Sequence, residues 1–256
     1  MLLEGKNSII YGGGGAIGGA VARAFAREGA RVHLAGRTLA PLDHVADIIR
    51  DGGGWADTTT VDALDQQAVD DHADAVATRS GSLDISFNLI STGDVQGTPL
   101  VEMSLTDFEA PILTSIRTQF LTARAAARHM IKQGSGVILM FGLSGDPIRD
   151  FTTGGHQISM GGTKVAFGAL DVFRNQLACE LGPNGIRVVT LLTGGVPETT
   201  DEAWRSVITD GFIATSMLRR AETLEDVGNV AAFAASNQAR GMTATHFNLT
   251  SGREVD

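Results

Sequence analysis

Ser8-Ile-Ile-Tyr-Gly12-Gly-Gly-Gly-Ala16-Ile-Gly18-Gly-Ala20 runs from an apolar strand through consecutive glycines into a helix. Glycine is needed where the backbone turns with positive φ and where phosphate oxygens approach main-chain N–H groups. The helix opening there offers unpaired N–H donors and the positive end of its dipole. Placed after one strand and before another, the stretch reads as the first βαβ unit of a dinucleotide-binding fold. Its phosphate-facing residues are Gly12, Gly14, Gly15, Ala16, Ile17 and Gly18.

Outward from this turn, apolar runs at Asn7–Tyr11, Arg31–Ala35, Ala56–Val61, Asp84–Ile90, Gly136–Phe141, Ile186–Leu192 and Thr245–Leu249 read as strands. Runs such as VILMF and VVTLL lack polar alternation, as expected of strands covered on both faces. Amphipathic stretches at Ala16–Glu28, Leu39–Asp51, Asp65–Arg79, Ile112–Lys132, Ser159–Leu181 and Thr223–Ala235 read as helices. Ser104-Leu-Thr-Asp107 opens a short helix ending before Pro111, and Thr223-Leu-Glu-Asp226 caps the last helix. This alternation predicts an α/β fold: one Rossmann-type doubly wound domain over residues 1–256, its seven-stranded parallel sheet flanked by helices. Long connections at Gly142–His156 and Thr193–Leu218 leave the carboxyl ends of strands, where ligands bind in such sheets. Within the second, residues 197–218 read as a helical lid carrying Trp204, Phe212, Ile213 and Met217.

The 256 residues are 43% hydrophobic, enough for a large core, and include one cysteine. Disordered, collagenous and disulfide-scaffold classes are thereby excluded. A net charge of −9 disfavours nucleic acid and anionic membrane as partners. No apolar run approaches the roughly 20 residues that span a bilayer, and the N-terminus lacks a signal-peptide pattern. Cys179 reads as a small buried apolar side chain in a reducing compartment, so a cytoplasmic protein is expected. The histidines show no metal-ligand spacing, and no metal is expected.

About twenty residues past the glycine turn, an NAD site would place a carboxylate on the ribose hydroxyls. Gly36-Arg37-Thr38 stands there instead. Arg37 suits a 2′-phosphate in two-point geometry, which favours NADP(H). Asp62-Ala63, after the third strand, is placed to meet the adenine amino group.

The chain resembles the short-chain dehydrogenase/reductase family over nearly its whole length. The match lies in Gly12…Gly18, Arg37, Asp62, Leu83-Asp-Ile, Gly182-Pro-Asn-Gly-Ile-Arg-Val, Thr223-Leu-Glu-Asp-Val and Asn248-Leu-Thr-Ser-Gly. The resemblance implies a nicotinamide cofactor, also touched by Asn88, Lys164, Gly194 and Val196, and a homotetramer or homodimer. It also exposes departures. The family's middle glycine of the turn is Ala16, and its Tyr-x-x-x-Lys pair reads Met160-Gly-Gly-Thr-Lys164. Its serine position aligns with Gly142 and its asparagine with Ser115. The lone tyrosine, Tyr11, sits at the phosphate turn, so no shift of alignment restores the acid. A thioether exchanges no proton, whereas the tyrosine of the family does. The candidates left for catalysis are Lys164, Ser144 and His156, the histidine having a pKa near neutrality. Ser159 and Thr163 add hydroxyls nearby, and Asp146 and Asp150 lie on the lengthened loop.

Three functions follow. The first is an atypical NADP(H)-dependent oxidoreductase acting on a small, hydrophobic molecule, reducing a C=C or C=N bond with solvent as proton source. The second is a catalytically silent NADP-binding sensor or partner subunit. The third is a lyase or isomerase that keeps the fold. For assembly, Ile112–Lys132 and Ser159–Leu181 carry wide apolar arcs (Ala123, Ala126, Ala127; Val165, Phe167, Leu170, Phe173, Leu177) that serve the sheet and two-fold interfaces.

Overall fold

The computed structural model describes residues 1–93, 95–143 and 159–255. Seven strands form one all-parallel sheet: β1 (Asn7–Tyr11), β2 (Arg31–Gly36), β3 (Trp55–Thr60), β4 (Ile85–Asn88), β5 (Gly136–Leu143), β6 (Ile186–Thr193) and β7 (Thr245–Leu249). Their spatial order is β3-β2-β1-β4-β5-β6-β7, so the winding reverses between β1 and β4. There Tyr11 pairs with Ala35 on one side and Asn88 on the other. A crevice opens at such a reversal, beyond the carboxyl ends of the strands.

Helices cover both faces. On one lie α1 (Ala16–Arg27), α2 (Leu39–Asp51) and α7 (Leu224–Ala235), sharing a core with Ile10, Phe87 and Val189. On the other lie α3 (Gln66–Ser80), α4 (Leu105–Gln133) and α5 (Gly162–Leu181), over Ile9, Tyr11 and Val188. Neighbouring residues of β1 thus serve opposite cores, as the pleat requires. α7 docks closely on α1 through Gly228, where a Cβ would stand 3.0 Å from the Ala20 carbonyl oxygen. A capping box at Thr223 and Asp226 opens α7. Between β6 and α7 lie a 3-10 turn at Pro197–Thr199 and the helix α6 (Glu202–Thr215).

Three local expectations are corrected. The two helices expected around Pro111 are one, α4, whose Ser104 cap accepts from the Asp107 N–H. An interior proline costs about 3 kcal/mol in isolation. Here Pro111 is buried, and its ring lies beside Gly162 at the start of α5, so packing outweighs the lost hydrogen bond. α5 begins at Gly162 and not at Ser159, because Gly161 has φ +50° and ψ −134°, outside the helical region. Cys179 is exposed on the outer side of α5, between exposed Glu180 and buried Ala178, not in the core.

Candidate functional site

The glycine turn leaves the carboxyl end of β1 at the winding reversal. Gly12 has φ +78°, and a Cβ on it would lie 2.5 Å from the Leu89 carbonyl oxygen. Gly18, in the first turn of α1, rests on the Gly12 carbonyl; a Cβ would stand 2.2 Å from that oxygen. Gly14 backs onto Pro41, where a Cβ would come within 2.9 Å. The turn is therefore held to glycine by its own backbone and that of the β4 exit. Gly15 is the N-cap of α1 and makes no side-chain cap, so the donors of the first turn face outward without a protein side chain on them. This cradle fits the pyrophosphate of a dinucleotide.

A cavity of about 660 Å³ starts at this cradle. Gly15, Ala16, Ile17 and Gly18 form one wall, and Asn88, Lys164, Gly194 and Val196 line it further in. Asn88 is buried; its Nδ2 donates to Thr122 Oγ1 at 3.2 Å, and its Oδ1 accepts from the Ile90 N–H at 3.0 Å. Of the other proposed cofactor contacts, Arg37 is exposed just past β2. Asp62 is exposed past β3 and accepts from the Leu64 N–H, while Ala63 is buried beside it. These three lie outside the cavity, on the side of the reversal formed by β2 and β3.

The deep end carries polar groups that sequence reasoning missed or passed over. Ser115, Thr118 and Gln119 of α4 are buried and line the cavity. Gln119 Nε2 donates to the Asn88 carbonyl at 3.4 Å. Gln119 stands one helical turn after Ser115, so the i, i+4 spacing was the available signal. Apolar groups surround them: Phe141, Leu143, Met160, Phe167, Ile208 and Phe212. Gly142, aligned with the serine position, is turned toward Thr190 and Leu192, and the adjoining Leu143 reaches the cavity instead. Met160 and Lys164 both line it. Ser144, Asp146, Asp150 and His156 lie outside the described residues.

Tyr11 does not approach the cavity. It is buried on the α3 side, edge-on to His72, and its hydroxyl has no hydrogen-bond partner. Burial, reinforced by the nearby Asp70 charge, raises its pKa above the ordinary phenolic range. It stays neutral and lies away from the cavity.

The segment after β7 closes the far wall. The Glu254 N–H donates to Thr250 Oγ1 at 3.2 Å, and its carbonyl accepts from Asn248 Nδ2 at 3.1 Å. Leu218, just beyond α6, donates its N–H to the Ser251 carbonyl at 3.1 Å. The Arg253 guanidinium lies 3.9 Å over the Phe212 ring of α6 and directly against Gly194. Burial lowers the Arg253 pKa, opposed by the charges of Glu222 and Glu254. Burial likewise pushes the Glu222 carboxyl up, with Arg253 among the groups opposing it. Glu254 lines the cavity. Nothing in its local sequence signals this, because its place depends on the fold of the whole terminal hook.

No helix among the described residues is long and apolar enough to cross a membrane. Among them, no group of three or more His, Cys, Asp or Glu is gathered to hold a metal ion.

A family model described as enoyl-(acyl carrier protein) reductase matches residues 14–253. Secoisolariciresinol dehydrogenase of Forsythia intermedia is 28% identical over 264 residues, covering 99% of this chain and 90% of that protein. The 7alpha-hydroxysteroid dehydrogenase of Escherichia coli (strain K12) is 27% identical over 254 residues, covering 98% and 94%. A solved structure of a short-chain type dehydrogenase/reductase from Mycobacterium marinum superposes with a TM-score of 0.83 at 27% identity, covering 99% of this chain and 97% of its own.

Proposed function

The chain belongs to the short-chain dehydrogenase/reductase family, and from that premise we propose that it is an NADP(H)-dependent oxidoreductase with a degenerate catalytic site. The observation that carries this reading is the single cavity joining Gly15–Gly18, Asn88 and Lys164 at the winding reversal. Gly12, Gly14 and Gly18 set the cradle for the pyrophosphate. Arg37 holds the 2′-phosphate, Asp62 and Ala63 flank the adenine, and Lys164 binds the nicotinamide ribose. Gly194 and Val196 border the nicotinamide. When bound, the reduced nicotinamide supplies a hydride.

Met160 occupies the position of the family's proton donor and cannot exchange a proton. The chemistry compatible with this site is hydride addition to an activated C=C or C=N bond, with solvent completing the proton balance. The family description and the dehydrogenase names of the relatives support a redox role. The apolar walls suit a small hydrophobic molecule, and α6, with exposed Trp204 and Met217 nearby, serves as the lid over it.

Titration with NADPH and with NADH, followed by nucleotide fluorescence, tests the cofactor assignment. NADPH is expected to bind in the micromolar range, and Arg37→Ala to weaken it tenfold or more, about 1.4 kcal/mol. Absence of binding by both nucleotides overturns the proposal. The loss of the tyrosine favours one second reading, a silent NADP-binding partner subunit. Steady oxidation of NADPH with any substrate excludes it.

We further propose a homodimer or homotetramer built on α4 and α5. Ala123, Ala126 and Ala127 belong to the part of the arc that packs on the sheet and are buried in the core. Outward apolar groups include Phe120, Ile131, Val165 and Val172, with Phe120 in ring contact with Phe173. Light scattering is expected to give at least a dimer at micromolar concentration, and Phe120→Glu a monomer. A wild-type monomer would end the idea.

A further inference from the structure

We propose that Arg253 is a positioning residue: its guanidinium latches α6 onto the turn that follows β6, so that the lid and the nicotinamide end of the cavity close together. The nicotinamide part rests on the oxidoreductase reading above; the latch does not. α6 is lightly held. Of its 14 residues only Phe212 is buried, while Trp204, Val207 and Ile213 are exposed. Apart from the Pro197–Thr199 turn beside it, α6 packs broadly on no other helix or strand. An element with so little buried surface opens locally at low cost. What keeps α6 closed is therefore whatever keeps the Phe212 ring in place.

That ring sits in a socket made of two consecutive glycines and one guanidinium. Gly195 has φ +109°, and a Cβ on it would stand 3.3 Å from Cζ of the Phe212 ring. A Cβ on Gly194 would fall on the Arg253 guanidinium, which lies 3.9 Å over the same ring. The first glycine thus admits the arginine and the second admits the phenylalanine. Arg253 touches lid and turn at once, and its partial burial strengthens the attraction between cation and ring. The Leu218 N–H bond to the Ser251 carbonyl separately ties the chain beyond α6 to the same hook. Loss of the Arg253 contact therefore frees α6 itself and leaves the segment after it attached.

The same turn is the one assigned to the nicotinamide. Gly194, Gly195 and Val196 line the cavity, and Ile208 and Phe212 of α6 line it as well. A nicotinamide that seats the turn also seats the socket. By reciprocity, a closed lid raises affinity for the nicotinamide half of the cofactor. The adenosine half, assigned to Arg37 and Asp62, lies on the β2–β3 side of the winding reversal, away from β6 and its turn. Occupation of that half alone leaves the socket as it was.

Backbone hydrogen exchange read by mass spectrometry tests the latch. Without nucleotide, Arg253→Ala is expected to speed exchange in α6 about tenfold, in line with loss of a partly desolvated contact between cation and ring. α7 and β1 are expected to keep wild-type rates. Phe212→Leu is expected to act as Arg253→Ala does, and Phe212→Tyr, which keeps the ring face, to retain wild-type protection. Saturating NADPH is expected to slow α6 exchange severalfold in wild type and to leave it unchanged in Arg253→Ala. Adenosine 2′,5′-bisphosphate, which lacks the nicotinamide, is expected to leave it unchanged in both. Wild-type exchange of α6 in Arg253→Ala overturns the proposal. Equal acceleration in α7 and β1 also overturns it, since Arg253 would then support the whole fold. Protection of α6 by the bisphosphate as strong as that by NADPH overturns the link to the nicotinamide. If Arg253→Ala fails to fold, Phe212→Leu against Phe212→Tyr decides the latch. Failure of NADPH to bind would count against the oxidoreductase reading alone, because the nucleotide-free comparison still measures the latch.

Discussion

Gly162→Ala is expected to lower the melting temperature by roughly 10 °C, corresponding to about 3 kcal/mol of lost stability. The added methyl would stand 1.9 Å from the Phe108 carbonyl oxygen and 3.2 Å from the Pro111 ring. The carbonyl belongs to the backbone of α4 and cannot rotate away as a side chain would. α4 and α5 must therefore separate at the end where both meet the cavity. Calorimetric melting beside wild type is the measurement. A decrease under 2 °C would mean that the two helix starts slide past each other without resistance. Because α5 carries Lys164, the same variant is expected to weaken NADPH binding even at temperatures where it stays folded.

His72 makes the protein acid-labile, and His72→Leu is expected to remove much of that lability. The ring is buried on the inner face of α3, and neither nitrogen has a hydrogen-bond partner. Burial, helped by the charges of His33 and Arg79 and opposed by Asp57, lowers its pKa to about 4. In the unfolded chain the value is about 6.5. As pH falls from 6.5 toward 4, the unfolded chain takes a proton that the native one refuses, so stability declines across that window. The loss amounts to roughly 3 kcal/mol at its lower end.

The neighbouring Asp57 acts in the same direction at the acid end. Burial raises its pKa, but the hydrogen bond and charge of His33, 2.7 Å away, and the charge of Arg79 outweigh this, and the net shift is downward. Its contribution is present above the unfolded value and is lost as pH falls through the folded one. Urea unfolding at pH 7.5 and pH 4 separates the two residues. His72→Leu should be at least as stable as wild type at pH 7.5, since it buries no unpaired nitrogen. It should also lose roughly 3 kcal/mol less on acidification. An unchanged difference between the two pH values would assign the lability elsewhere.

The strands were legible as short β-rich stretches alternating with helical ones, most plainly at Val137–Phe141, and their observed limits differ from the expected ones by a few residues at most. Pro111 misled because its penalty is local, while the contact with α5 that offsets it is not. Cys179 misled because its residue type is buried on average, whereas the helical face it occupies turns outward. In the site, the glycine turn was legible because close backbone approach leaves glycine as the sole residue that fits at Gly12 and Gly18. Gln119 was readable from helical spacing once Ser115 had been singled out. Glu254 was not, since its position depends on Thr250, Asn248 and the α6 contact of its neighbour Arg253.

The docking of α7 on α1 through Gly228 has a consequence for biosynthesis. Val21, Phe25 and the rest of the inner face of α1 are made well before part of their cover, Val227, Ala231 and Ala234, which follows only after β6. Until then the nascent sheet has one face incompletely shielded, and its parallel strands close slowly because each pairing awaits a crossover. Chaperone dependence should therefore concentrate on that face. Truncations that remove α7 should accumulate as aggregates, not as soluble intermediates.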